Sequence, residues 1–402
     1  MSPRESLTPQ LPPTIEAVVP LHDAARPIRR TVASLADQRQ SLAEAGARLE
    51  ISIVCHNIPV NAVEERLDGD LAGAGITLVP FVDGVYSPAG PKNHGLRNSS
   101  ATYVTFVDSD DYLEPGALGA WVQAAETTGA DAVLAPVRTP AGNMLATPGL
   151  RPSKPTVLDP LKDGLATRSL PYGLLRVSSL HEIGFRFTKG LRVGEDLEPT
   201  LRLLFSGRVI TYPYGSAAYH QTDDAAEGRV TATLAPLSEE FRWLGPLAAQ
   251  DWLLSLPKSH RRAIALKLMR IHGIGALLRR GDAIAHGVED PSSAPPEPGT
   301  VWNANEREAW RSFQREIESL AGGELAALSR RDSQLAAAAG ATDDPALLAA
   351  ARSRYRTSGR RGELMTNKPW SALTRESIIR HYIRENRRRA TGVFDVGTQS
   401  AG

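Results

Sequence analysis

The 402-residue chain contains a single cysteine, Cys55, so no disulfide can form within it. That usage fits a reducing compartment. No apolar run approaches the ~20 residues a spanning helix needs, and the opening segment Met1–Pro13 is polar and proline-rich, without the apolar core of a secretory signal. These absences predict a soluble cytoplasmic protein, at most peripheral at the inner face of the membrane. No glycine-rich turn follows the first strand-like run, which ends in Pro20-Leu21-His22-Asp23. A dinucleotide-binding turn is thereby excluded, because its glycines let backbone approach a pyrophosphate.

A formal net charge of +1 conceals an asymmetry. Arg352–Ala390 holds twelve Lys/Arg against three Glu, leaving the rest of the chain acidic at 34 against 42. Within that basic stretch Ile378, Ile379, Tyr382 and Ile383 form an apolar stripe among Arg375, Arg380, Arg384 and Arg387-Arg388-Arg389. Such a helix either lies on an anionic membrane or packs on its own domain with a solvated basic face. Sparse aromatics there and an acidic first half argue against nucleic acid.

The first half alternates β-rich and helix-like runs. Strands are predicted at Ile15–Val19, Ile51–Val54, Ile76–Val82, Tyr103–Val107, Ala132–Val137 and, less regularly, Val209–Tyr214; helices are predicted at Ala25–Leu42 and Ala62–Leu67. This alternation predicts an α/β fold with a mainly parallel sheet and helices on both faces. After about Arg229 strand signals vanish. Ile264, Leu268, Ile271 and Leu278 recur at helical spacing, as do Trp310, Phe313, Ile317 and Leu320 after Asn303, with Glu306 placed for a capping box. The expected organisation is a disordered N-terminus over 1–13, an α/β domain over 14–232, an all-α C-terminal domain over 235–390 with a Pro-rich loop at 290–300, and a flexible tail over 391–402.

The most informative segment is Phe106-Val107 running into Asp108-Ser109-Asp110-Asp111. In parallel sheets ligands bind at the carboxyl ends of strands. Mg²⁺ or Mn²⁺ takes one or two carboxylates plus phosphate oxygens, so an Asp-x-Asp there suits a cation and a nucleotide. The bland alternative is a solvated turn of capping aspartates ahead of Pro115. A haloacid-dehalogenase-type phosphatase also ends a strand in Asp-x-Asp, but on the first strand and followed by a small pair; here the strand is the fourth, and Asp111-Tyr112 follows.

Four segments in order resemble the family-2 inverting glycosyltransferases of GT-A fold, over roughly residues 14–231. Ala17-Val18-Val19-Pro20-Leu21-His22-Asp23 is similar to their opening strand and nucleotide turn, and Ser87–Leu96 to their S-x-A-R-N-x-G helix. Tyr103–Leu113 resembles Y-V-x-F-x-D-S-D-D-x-L, and Gly194-Glu195-Asp196 resembles G-E-D. The resemblance implies a GT-A domain that transfers a hexosyl or N-acetylhexosaminyl group from a nucleotide diphosphate sugar, UDP-sugar favoured, to a glycan, cell-wall polymer or lipid-linked acceptor. It implies Mn²⁺ or Mg²⁺ on Asp110 with Asp108, and Asp108 with Ser109 at the ribose. Pro20, Leu21, His22 and Asp23 would line the nucleotide, and Lys92 and Asn93 its diphosphate. Asp196, beside Glu195, would be the base. His56 and Asn57 stand where the family places a base-reading aspartate. His220 is a candidate further metal ligand, and Arg229 a diphosphate contact or a plain surface arginine. The C-terminal helices could hold the acceptor or mediate self-association. The alternative is an inert GT-A module that binds glycan or acts as a scaffold.

Overall fold

The computed structural model describes residues 11–67, 75–191, 193–223, 234–286, 298–368, 370–371, 374 and 377–392. Arg229, Arg375, nearly all of the expected disordered N-terminus and flexible tail, and most of the 290–300 loop lie outside these residues; the end of that loop opens a helical turn, Pro298–Val301.

Four parallel strands, β1 (Thr14–Leu21), β2 (Arg48–His56), β3 (Ile76–Phe81) and β4 (Tyr103–Phe106), lie side by side in a seven-stranded sheet. Their order is β3-β2-β1-β4, with Val18 opposite both Ser52 and Phe106. Pro20 lies beyond the last β1–β4 pair, where its missing N–H interrupts no ladder on that side. The predicted strand Ala132–Val137 is two strands. β6 (Ala132–Leu134) stays in the main sheet, whereas β7 (Val137–Arg138) joins a three-stranded sheet with β5 (Tyr112–Leu113) and β10 (Tyr219–His220). Pro136 marks the switch, its carbonyl accepting from Tyr219 N at 2.9 Å. β8 (Gly173–Arg176) inserts antiparallel between β4 and β6, and β9 (Ile210–Thr211) closes the edge.

The expected helix Ala25–Leu42 breaks at Asp37 into α1 (Ile28–Ala36) and α2 (Gln38–Glu44). With α3 (Val60–Leu67) and α5 (Ala117–Thr128) they bury one face of the sheet. The other face meets α4 (Ala89–Asn98), α6 (Val177–Glu182) and α7 (Leu197–Phe205), in an apolar core that runs without interruption into the C-terminal helices. Trp310, Phe313, Ile317 and Leu320 are all buried in it.

Ile271 departs from its expected place: it is 56% exposed, while Ile274 is buried. Leu268–Ile274 is π-helical, and the added residue per turn rotates the stripe. Asn303 caps its helix as expected, accepting from Asn305 N and Glu306 N. The Glu306 side chain instead accepts from Leu237 N and Arg280 Nε, both at 3.1 Å, so it ties two helices together rather than closing a capping box.

The basic helix Ile378–Ala390 is seated on the α/β half: Arg384 donates to Gly149 O (3.1 Å), and buried Arg388 to Ala146 O and Pro148 O (2.9 Å each). Among the described residues no helix is long and apolar enough to cross a membrane.

Candidate active site

The carboxyl ends of β1–β4 share one edge of the sheet, which places His22-Asp23, Asn57, Asp83 and Asp108–Asp111 in neighbouring turns. Polar residues of α1 and α2 hold the acidic turn. Thr31 Oγ1 lies 2.7 Å from Asp111 O and 3.1 Å from Ser109 O, donating to one at a time. Ser34 accepts from Leu113 N, and Gln38 spans Glu114 O and Leu118 N. Buried backbone polar groups demand such partners, so the turn is fixed from behind.

Its three aspartates do different things. Asp108 faces Lys92 Nζ at 3.0 Å and accepts from Tyr172 OH at 2.6 Å. Burial would raise its carboxyl, but Lys92 and Tyr172 hold it below the ordinary range. Asp110 pairs with Arg26, and its carbonyl accepts from Arg30 and, at 2.8 Å, from Thr222 Oγ1. Asp111 accepts from Tyr219 OH and Thr222 N, both at 2.8 Å. Burial and the Asp108 charge push its carboxyl up to about 8. Tyr172 and Tyr219 stack at 3.9 Å and 11°, so two packed rings deliver one hydroxyl to each outer aspartate. Behind them buried Arg168 donates to the carbonyls of Ala135, Thr147, Leu170 and Tyr172.

Lys92 on α4 is buried, with its ammonium 5.5 Å from the Phe187 ring centre. Burial alone would lower its pKa, but Asp108, Glu195 and Asp196 together raise it well above the usual lysine range. One ammonium therefore sits within the field of both the acidic turn and the G-E-D segment. Asn93 spends both ends of its amide on Phe187: Nδ2 donates to the carbonyl at 2.8 Å and Oδ1 accepts from N at 2.9 Å. Its place in this structure is a clamp on the backbone beneath Lys92.

Asp196 is the N-cap of α7, and its side chain makes no capping hydrogen bond. Leu197, Leu201, Leu204 and Phe205 bury the face of α7 below it, each contributing about 1.5–3 kcal/mol. Gly194 has φ +82° and carries Trp243 so close that a Cβ would stand 3.2 Å from its ring. Burial, then Glu195, push the Asp196 carboxyl up to about 7, against the opposing pull of Lys92 and Lys267. Buried Glu195 is raised too, chiefly by burial.

His56 is buried at the end of β2, with Nε2 2.8 Å from Asp83 Oδ1 and 3.1 Å from Asn57 Nδ2. Asn57, at φ +58°, also accepts from Asp83 N and Gly84 N. An open cleft of about 500 Å³ lies there, lined by Asn57, Ile58, Pro59, Val82, Gly84 and Tyr86. An aspartate is thus present in this region, but it comes from the turn after β3 rather than from β2. Asp23 Oδ1 accepts from Ala25 N at 2.8 Å, shaping the first turn.

His220 stacks on Tyr112 at 4.4 Å, and its Nδ1 lies 3.0 Å from Gln221 O. Among the described residues no three His, Cys, Asp or Glu side chains gather into a metal-holding group. Asp108 and Asp110 are the set on offer, which fits a cation whose shell is completed by diphosphate oxygens and water.

Tyr172 and Lys267 come from segments remote from the motifs, and Arg26 from just beyond the first one, so none of the three was singled out by residue order. Only the pairing of two tyrosines with two aspartates hinted at Tyr172, and it exists only in three dimensions.

Residues 16–184 match the family model described as "Glycosyl transferase family 2", a span that holds the acidic turn and stops short of Asp196. No curated protein matches the sequence. Among solved structures, residues 1–349 of Staphylococcus aureus TarS in complex with UDP-GlcNAc superimpose with a TM-score of 0.65 at 16% identity, covering 86% of this chain and 92% of that one. The longer S. aureus TarS structure gives 0.61 at 17% identity, covering 85% of this chain and 55% of that one. With the matched segment carrying the acidic turn on the fourth strand, and a mostly parallel sheet shared with TarS, the chain has the GT-A fold, and its residues 16–184 are similar to the family-2 glycosyltransferases.

Proposed function

We propose that the chain is an inverting glycosyltransferase. It moves a hexosyl or N-acetylhexosaminyl group from a nucleoside diphosphate sugar to a hydroxyl of a glycan, cell-wall polymer or lipid-linked acceptor. The carrying observation is Lys92, one buried ammonium within the field of both Asp108 and Asp196. That arrangement joins a diphosphate-binding edge to a carboxylate of raised pKa, as a single displacement requires.

In this reading Asp108 and Ser109 orient the ribose, and Lys92 faces the diphosphate. Asp196, which no capping bond consumes, takes the proton from the acceptor hydroxyl. Mn²⁺ or Mg²⁺, when bound through Asp110 and Asp108, would offset charge on the departing diphosphate. UDP-GlcNAc, the nucleotide sugar bound in the TarS structure, is the first donor to try. The test is release of nucleoside diphosphate from UDP-GlcNAc, UDP-glucose and GDP-mannose, each with Mn²⁺, Mg²⁺ or EDTA. Metal-stimulated release from one donor is the expected result; none from any donor would remove the enzymatic reading.

One observation favours the inert module. Arg26 already pairs with Asp110, and a fixed arginine cation there could replace a metal in a purely binding site. Absence of metal-dependent turnover alongside metal-independent nucleotide binding would establish that reading.

We also propose a cytoplasmic location with peripheral contact to the inner membrane face. Arg384 and Arg388 are spent on docking, yet Arg380, Tyr382, Ile383, Arg387 and Arg389 point outward, a mixed basic and apolar face suited to anionic headgroups. Replacing Arg380, Arg387 and Arg389 with alanine should weaken co-sedimentation with phosphatidylglycerol vesicles, most at low salt. Equal sedimentation would refute the contact.

A further inference from the structure

Lys267 is the last residue of the helix Lys258–Lys267 and is only 4% exposed. Buried lysines are rare without a partner, and this one has two, both informative. Its Nζ lies 3.1 Å from His272 Nε2, five residues onward. Those two residues meet because the chain turns π-helical over Leu268–Ile274, which carries His272 onto Lys267; such turns gather at functional sites. The His272 ring packs 5.0 Å from the Trp243 ring, the same ring that fills the space beside Gly194. A contiguous path thus runs from the C-terminal helices to the G-E-D segment. The second partner is Asp196: its charge acts on Lys267, and that of Lys267 on Asp196.

We propose that Lys267, supplied by the helical C-terminal half, is a positioning residue for Asp196, acting as the counter-charge that keeps this carboxylate available near neutral pH while His272 holds its ammonium in place. The inference rests on reading Asp196 as the base, and it gives the C-terminal helices a share in the chemistry of the α/β half.

The groups facing the pair are few. Asp196 feels Glu195 from its own loop, Lys92 from α4 and Lys267, and it acts in turn on Tyr172 just before β8. His272 feels Lys267 and Arg279; burial and both cations keep it well below the usual histidine range, so it is neutral and Nε2 can accept from the ammonium. Burial lowers Lys267 to about 7 and raises Asp196 to about 7, and the Asp196 charge opposes the first shift as the Lys267 charge opposes the second. Removing Lys267 deletes one of the two cations restraining Asp196. Its carboxyl must then titrate higher, leaving less of it ionised at any pH below the midpoint.

The experiment follows the carboxyl itself. The full-length chain is labelled with [4-¹³C]aspartate, the Asp196 signal is identified by its loss in Asp196→Asn, and its midpoint is measured by NMR. Lys267→Met should raise the midpoint by about one pH unit, roughly a tenfold loss of carboxylate below it, and Lys267→Arg should restore it. His272→Leu, which leaves the ammonium without its acceptor, should shift the midpoint the same way, whereas His272→Gln should not. An Asp196 midpoint unmoved in folded Lys267→Met overturns the proposal. If that variant fails to fold, a midpoint unmoved in His272→Leu does so. Persistent transfer by Asp196→Asn is a separate outcome: it removes the base assignment and leaves the measured coupling intact.

Discussion

Asp196→Asn should lower transfer by about 10²–10⁴-fold, the usual contribution of a general base, while donor affinity stays little changed. The separation follows from the proposed roles, since the groups assigned to the nucleotide belong to α4 and the turns after β1, β2 and β4, whereas Asp196 heads α7. The wild-type enzyme should also lose activity as pH falls through about 7, because the base acts only when ionised and its carboxyl is raised to about 7. Stability runs the other way. A carboxyl whose folded pKa lies above its unfolded value of ~3.9 contributes stability below that unfolded value, and the contribution is lost as pH rises through about 7. The asparagine variant carries no such loss and should melt at or above the wild-type temperature at pH 8. Asparagine caps a helix as well as aspartate does, so a capping role is tested by Asp196→Ala, which would then cost about 0.5–2 kcal/mol. An alanine variant that melts at or above the wild-type temperature at pH 8 excludes capping independently of any assay of transfer.

Gly173→Ala should be the most damaging small substitution in the α/β half, costing more than about 4 kcal/mol, in the range kept for severe backbone and packing faults. Gly173 has φ +140°, and a Cβ there would stand 1.9 Å from Val133 O and 2.9 Å from Ala135 N. The obstacles are backbone atoms of β6 and the residue following it, so no side chain can turn away. β8 would have to leave the sheet, carrying Tyr172 off Asp108. Soluble, folded alanine variant with unchanged denaturant midpoint would show that β8 is not held there.

The legible parts of this molecule are those that sequence-local patterns dictate. β1, β2 and β4 are buried apolar runs, and the acidic turn and Asp196 lie in contiguous motifs, so residue order alone located them. β8 was illegible because four residues beginning with glycine carry no period. Tyr172, Arg26 and Lys267 act on the site through space, from segments whose own patterns describe only local packing. The π-turn is likewise invisible in a helical stripe: Ile271 satisfies the spacing, and only the inserted residue turns it to solvent. Asn93 illustrates the reverse case, where a motif position identified a residue that the structure shows bound to the Phe187 backbone at both ends of its amide.

In the proposed function, Asp108–Asp111 follows its strand at a site for a nucleoside diphosphate and a cation. Calorimetric titration with UDP, and separately GDP, tests it without knowledge of the sugar or acceptor. With Mn²⁺ present, one nucleotide should bind the wild-type chain, and both EDTA and Asp110→Asn should weaken that binding at least about tenfold, about 1.4 kcal/mol. Binding of equal strength in Mn²⁺, in EDTA and in Asp110→Asn would contradict the account.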